Sequence, residues 1–211
     1  MDNDHVVRTF GFSFHKPLKD QKNVMNKLLL ISLLLFFLLS FCTPQNDLTG
    51  NWISTTPEKT VTGIYGIRQF NFHKDNWNIQ YTVYLDSSLK LPVFTFRATG
   101  KFIIGEQSAT VTNARLAVFT FSQKYLTLRT KDTAIIRRMG LSPCNLTYLV
   151  EKNITETGCA YLVSKLECAQ EYDLVSMSGK ALYLGARPQS GGMCEESRRP
   201  KALGLPLKRI Q

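Results

Sequence analysis

Apolar and polar residues alternate along several segments in the middle of the chain. The alternation is clearest over 77–85, where every second residue is large and apolar, as it is in Trp77, Ile79 and Tyr81. A period of two places such side chains on one face of a β-strand. The same period recurs in five further segments, 94–98, 101–104, 109–112, 118–121 and 125–129. The pattern predicts an all-β domain.

Short polar segments separate the predicted strands and indicate antiparallel, up-and-down order. These candidate turns are 74–76, 86–88, 105–107 and 122–124. About eight strands are expected between Gly50 and Thr130, with more near 148–150, 172–177 and 181–185. The segment 133–139 fits either a short helix or a strand. The total prediction is about 8–11 strands.

A chain with this many meandering strands either closes into a barrel or leaves exposed edges. Closure gives a lipocalin-like barrel, which can hold one small ligand, and the alternative is a two-sheet sandwich. Gly50-Asn51-Trp52 at the first strand resembles the lipocalin opening, where Trp closes the barrel floor. Trp52 as an ordinary core aromatic is the alternative.

A different pattern precedes the β-rich part. Residues 28–42 form an uncharged apolar run directly after Lys27, too short to span a bilayer comfortably but typical of a signal peptide. Met25 begins a reading of ordinary signal length and is the expected true start. The predicted organisation is therefore an extension and signal peptide over 1–42, followed by one β-barrel domain over 43–211.

Cys42 leaves three processing outcomes open. Leu39-Ser40-Phe41-Cys42 resembles a bacterial lipobox, in which Cys42 is lipidated, although Phe41 departs from the pattern. Cleavage after Cys42 with plain secretion is the second outcome, and an uncleaved anchor is the third. All three predict an exported protein, either secreted or anchored in the membrane of the cell envelope.

The other four cysteines are Cys144, Cys159, Cys168 and Cys194. An even number in an exported domain favours two disulfides, and the residues alone allow three connectivities. A metal site is not expected, because no CxxC spacing occurs and the part after Cys42 has one histidine, His73. If the host is eukaryotic, Asn145 and Asn153 are glycosylation sequons.

Composition and charge narrow the function classes. The chain has 44% apolar and 20% charged residues with a net charge of +10, which is ordinary globular composition. The basic residues are scattered, which favours a solvated face or attraction to an anionic membrane or polysaccharide over nucleic-acid binding. With only His73 as a candidate base, we expect neither an enzyme nor a cofactor.

The alternating aromatic and aliphatic residues are the candidate lining of a ligand cavity. The nine apolar candidates are Ile79, Tyr81, Val83, Phe94, Phe96, Phe102, Ile104, Phe119 and Phe121. The same residues could fill a solid core. Arg97 is the candidate cation for a lipid carboxylate, with an exposed strand residue as the alternative.

The C-terminal third carries a more specific pattern. Its elements are Thr157-Gly158-Cys159, Glu171-Tyr172-Asp173-Leu174, the run 182–188 (LYLGARP), Arg198-Arg199-Pro200 and Leu205-Pro206-Leu207. Together with Leu48-Thr49-Gly50-Asn51-Trp52, they make the chain resemble the "adenomatosis polyposis coli down-regulated one" family across most of 47–207. That family comprises secreted or membrane-bound Wnt antagonists.

The resemblance implies a single lipocalin-like barrel with an apolar cavity that takes lipid. It places Cys144 and Cys159 at family cysteine positions, which implies Cys144–Cys159 and Cys168–Cys194 pairs. The expected function is non-catalytic binding of a fatty acyl chain or similar lipid, with a lipid-modified protein as a possible partner. The alternatives are an envelope interaction or structural module with a filled core, and a secreted binder resembling a Wnt-pathway inhibitor.

Overall fold

A computed structural model describes residues 48–60, 62–189 and 191–210. The predicted signal peptide, the Met25 start and the lipidation site Cys42 lie outside the described residues. Ten strands make up about half of the described part. They are β1 (Gly50–Ser54), β2 (Glu58–Lys59), β3 (Tyr65–His73), β4 (Asn76–Tyr84), β5 (Pro92–Gln107), β6 (Arg115–Leu128), β7 (Glu151–Asn153), β8 (Gln170–Ser178), β9 (Ala181–Leu184) and β10 (Leu207–Ile210).

Eight of these strands close into an antiparallel barrel. The order around the barrel is β1-β10-β9-β8-β6-β5-β4-β3, and β1 pairs with both β10 and β3. The two extra strands lie alongside, with β2 on β3 and β7 on β6. Each barrel strand pairs with the next one along the chain, so the predicted all-β, up-and-down barrel is confirmed.

The structure has six strands between Gly50 and Thr130 instead of the expected eight. The segments 94–98 and 101–104 are parts of one strand, β5, and the segments 118–121 and 125–129 fall largely within β6. Thr99 pairs with Gln123 and Gly100 with Phe121, which leaves Ser122 as an extra residue. Such a bulge bends a strand without ending it, so the polar residues 122–124 form no turn. The predicted turn at 105–107 is also wrong, because these residues continue β5, and the predicted strand 109–112 belongs to the connection between β5 and β6.

Other connections follow the sequence more closely. The hairpin at 74–76 is confirmed: His73 pairs with Asn76, and Lys74 adopts a left-handed φ of 56°. The ambiguous segment 133–139 begins with helix α1 (Thr133–Arg138), whose amides at Ala134 and Ile135 donate to the Asp132 carboxylate. Residues 148–150 form a turn rather than the expected strand.

Two packed clusters occupy the two ends of the barrel. The floor cluster includes Trp52, Phe72, Trp77 and Phe119, all buried, and the Trp52 indole N–H donates to the Leu48 carbonyl at 2.8 Å. The upper cluster joins the inner face of β4, β5 and β6 to the segment 135–162. Its buried members are Val83, Val93, Phe94, Leu126, Leu128, Leu141, Ile154 and Cys159.

Candidate ligand site in the barrel

The nine apolar candidates share the inner face of the barrel. Strand pairing places Phe96 beside Tyr81 and Phe102 beside Phe119, and side chains on directly paired residues lie on the same face. Four of the nine are buried, namely Val83, Phe94, Phe119 and Phe121. The other five keep partial exposure, namely Ile79, Tyr81, Phe96, Phe102 and Ile104.

The lower end of the barrel is filled with aromatic rings. The Trp77 and Phe119 ring centroids lie 5.1 Å apart, as do those of Phe72 and Phe102. Trp77 also contacts Phe121, with centroids 5.5 Å apart. Edge-to-face contacts of this kind are typical of a tightly packed core. Phe119 and Phe121 are therefore part of the packed floor cluster.

Several inner-face side chains in the middle of the barrel stay partly exposed. Ile79 packs against the floor cluster, Tyr81 against the upper cluster and Phe96 against both, yet none of them is fully buried. The Tyr81 ring lies directly over Gly66, where an added Cβ would come within 2.3 Å of its hydroxyl. Partly exposed side chains on an inner face indicate open space between the two clusters.

Arg97 occupies the outer face of β5. Side chains alternate along a strand, so Arg97 points away from Phe96 and Ala98, which face inwards. Its Nε and Nη2 donate to the Glu151 carboxylate at 2.9 and 2.6 Å, and its guanidinium lies 4.0 Å from the Tyr125 ring centroid. These contacts give Arg97 a structural partner outside the barrel.

A different arginine, Arg187, lies on the opposite wall from β4. Its Nη1 and Nη2 donate to the two oxygens of Glu171, each at 2.9 Å. Glu171 pairs with Phe119 across β8 and β6, which places its side chain on the inner face. Burial lowers the pKa of Arg187, but Glu171 and Asp173 outweigh burial and leave that pKa above its usual value.

Two tyrosines face the same region. Burial raises the pKa of the Tyr81 hydroxyl, Glu58 raises it further, and Arg68 and Arg187 lower it. Burial also raises the pKa of Tyr161, to which Tyr81 contributes. The Tyr161 ring also packs against Phe94 of the inner face, with centroids 6.2 Å apart. The Arg68 and Glu58 side chains form a pair of their own at 2.8 Å.

Asp173 is a buried acid within electrostatic reach of Glu171 and Arg187. Its carboxylate accepts hydrogen bonds from the amides of Leu174 and Gly185 at 2.7 and 2.8 Å. Burial raises the pKa of Asp173 to about 6, against the lowering effect of these amides. Its backbone carbonyl accepts a hydrogen bond from Arg199.

Lys124 is a buried base with a structural role. Its Nζ donates to the carbonyls of Val163, Ser164 and Cys168 at 3.0, 3.3 and 3.1 Å. The ammonium also lies 4.1 Å from the Phe121 ring centroid. Burial lowers the pKa of Lys124. With all three donors used, Lys124 attaches the segment 163–168 to the barrel wall.

Both disulfides are present, and the pairing is the one that the resemblance implies. Cys144 bonds to Cys159, and Cys168 bonds to Cys194. The side chains of the sequons Asn145 and Asn153 are exposed. A surface groove of about 500 Å³ lies beside the Cys144–Cys159 bond, outside the barrel, and includes Asn145.

The described residues contain neither a metal-binding cluster nor a membrane-spanning helix. Within 48–60, 62–189 and 191–210, no group of three or more His, Cys, Asp and Glu residues is placed to hold a metal ion. In the same part of the chain, no helix combines the length and the hydropathy that crossing a bilayer requires. His73 is exposed in the β3–β4 hairpin.

Little in the sequence indicates that Arg187 and Tyr161 belong to a binding site. Arg187 belongs to the LYLGARP run, which marked a resemblance without assigning it a role, and Tyr161 lies in an irregular segment. The chain matches no family model and no curated protein.

Proposed function

We propose that this protein is an exported, non-catalytic binder of a hydrophobic ligand, a fatty acyl chain or similar lipid, held in the barrel. The observation that carries the proposal is the partial exposure of Ile79, Tyr81 and Phe96 on the inner face. An apolar chain that covered them would gain about 0.8 kcal/mol for each buried CH₂ group.

The two disulfides support export, because disulfides persist in oxidising compartments. Anchoring through a lipid on Cys42 or through the signal segment belongs to the same proposal. The proposal also includes a relationship to the Wnt-antagonist family and a lipid-modified protein as a partner.

Native mass spectrometry of the protein from an oxidising expression host tests the proposal. We expect an added mass that denaturation releases and that is identified as a lipid. A bare protein mass that stays bare after incubation with fatty acids and their esters would contradict ligand binding.

Two matched substitutions test where the ligand lies. Phe96→Trp enlarges a partly exposed ring between the clusters, so we expect retained folding and altered lipid affinity. Phe119→Trp enlarges a buried ring of the floor, and overpacking there costs about 1–3 kcal/mol of unfolding free energy. Equal destabilisation by both substitutions would indicate a filled barrel.

The second candidate is an interaction module of the cell envelope, favoured by the turn at 148–150. Tyr148, Leu149 and Val150 are 39%, 54% and 55% exposed, and Leu149 adopts a left-handed φ of 61°. The Lys131 ammonium lies 4.8 Å from the Tyr148 ring centroid. Under this candidate, Leu149→Ser would reduce binding to isolated envelopes without changing stability. Unchanged binding would argue against it.

A further inference from the structure

We propose that the polar end of the ligand is an uncharged hydrogen-bond acceptor, such as an ester carbonyl, and that it binds between Tyr81 and Arg187. This inference rests on the proposed function, since it assigns the head-group end of the same barrel site.

Tyr81 and Arg187 belong to opposite walls. In the closed order β1-β10-β9-β8-β6-β5-β4-β3, strands β4 and β9 are four positions apart in both directions. Tyr81 faces inwards from β4, and Arg187 follows the end of β9 by three residues. Two hydrogen bonds to Glu171, an inner-face residue, hold Arg187 at its wall, and the Tyr81 and Arg187 side chains lie within electrostatic reach of each other.

Both side chains have hydrogen-bond donors that no described residue accepts. Arg187 uses Nη1 and Nη2 to bind Glu171, while its Nε–H has no hydrogen-bond partner among the described residues, and 57% of its side chain is exposed. The hydroxyls of Tyr81 and Tyr161 likewise have no hydrogen-bond partner in the described part of the chain. Three donors from separate segments therefore border the open space.

Both arginines in this region already have carboxylate partners. Glu171, only 17% exposed, neutralises Arg187, and Glu58 neutralises Arg68. Asp173 adds a further acid close to Arg187. A ligand carboxylate would lose its hydration and would face Glu171 as a like charge, while Lys124, the further cation within electrostatic reach of Glu171, gives its three donors to backbone carbonyls. An ester carbonyl accepts the same hydrogen bonds without this cost, which is why the site favours an uncharged head.

Competition between palmitic acid and methyl palmitate tests the inference. Equimolar amounts are incubated with the protein at pH 7.5, and native mass spectrometry measures the ratio of the two complexes. We expect the ester complex to dominate in the wild type. Glu171→Gln removes the carboxylate that binds Arg187 directly and the like charge that a ligand acid would face, so it should shift the ratio towards the acid by about tenfold.

Glu151→Gln is the matched control, because it breaks an equivalent two-bond arginine pair on the outer face. It should leave the ester-to-acid ratio unchanged. Tyr81→Phe removes one donor while keeping the ring over Gly66, so it should weaken ester binding by about two- to tenfold at unchanged melting temperature.

The outcomes separate the two proposals. Acid preference in the wild type, or a ratio that Glu171→Gln does not move in a folded variant, would overturn the head-group assignment while ligand binding stands. Absence of both complexes would overturn ligand binding itself, and the head-group assignment with it.

Discussion

Gly100 of β5 lies directly against the backbone of β6. A Cβ built on Gly100 would lie 1.6 Å from the Thr120 carbonyl oxygen, and that oxygen accepts the Trp77 indole N–H at 3.2 Å. Real Cβ contacts are not shorter than 3.0 Å, so Gly100→Ala must displace the carbonyl by about 1.4 Å. The carbonyl belongs to the backbone and cannot rotate away, so the bulge and the floor cluster must shift with it.

The expected cost has two parts. Overpacking costs about 1–3 kcal/mol and loss of the Trp77 hydrogen bond about 0.5–1.5 kcal/mol, while the reduced freedom of the unfolded chain returns about 0.4–1 kcal/mol. We therefore expect Gly100→Ala to lower the free energy of unfolding by about 0.5–4 kcal/mol. Urea unfolding followed by tryptophan fluorescence measures it.

Gly105→Ala is the matched control on the same strand. Its added Cβ would meet Leu116 at 3.6 Å, an ordinary contact, so we expect a change within about 1 kcal/mol of the wild type. If the two variants unfolded within about 0.5 kcal/mol of each other, the close approach at Gly100 would be refuted.

Two further predictions concern the C-terminal half. Replacing both Cys168 and Cys194 by Ala should lower the free energy of unfolding by about 3.5 kcal/mol, and replacing Cys144 and Cys159 should lower it by about 3 kcal/mol. The first loss is larger because the Cys168–Cys194 bond closes the longer loop, 26 against 15 residues. Urea unfolding measures both losses, and the reverse ranking would contradict the loop argument. The raised pKa of Asp173 makes the folded state bind more protons than the unfolded chain between pH 3.8 and about 6, so its contribution to stability is present below pH 3.8 and is lost as the pH rises through 6. Asp173→Asn should remove that slope from unfolding midpoints between pH 4 and 7, and an unchanged slope would refute the assignment.

Local patterns determined the fold class and much of the inner face. Alternation over 77–85 and 94–98 placed Ile79, Tyr81 and Phe96 on one face, because side chains in any β-strand alternate irrespective of distant contacts. The 74–76 turn was equally local. Alternation did not find β10 (Leu207–Ile210), which is short, carries two basic residues and gains its place by pairing with β1 and β9.

Tertiary structure alone decided which inner side chains fill the barrel and which line it. Phe119 and Phe96 look alike in sequence, yet one packs into the floor and the other lies between the clusters. Likewise, alternation could not join Tyr81 to Arg187, which are more than one hundred residues apart. Closure of the barrel brings β4 opposite β9, and this long-range pairing of backbone hydrogen bonds has no counterpart in any local sequence window.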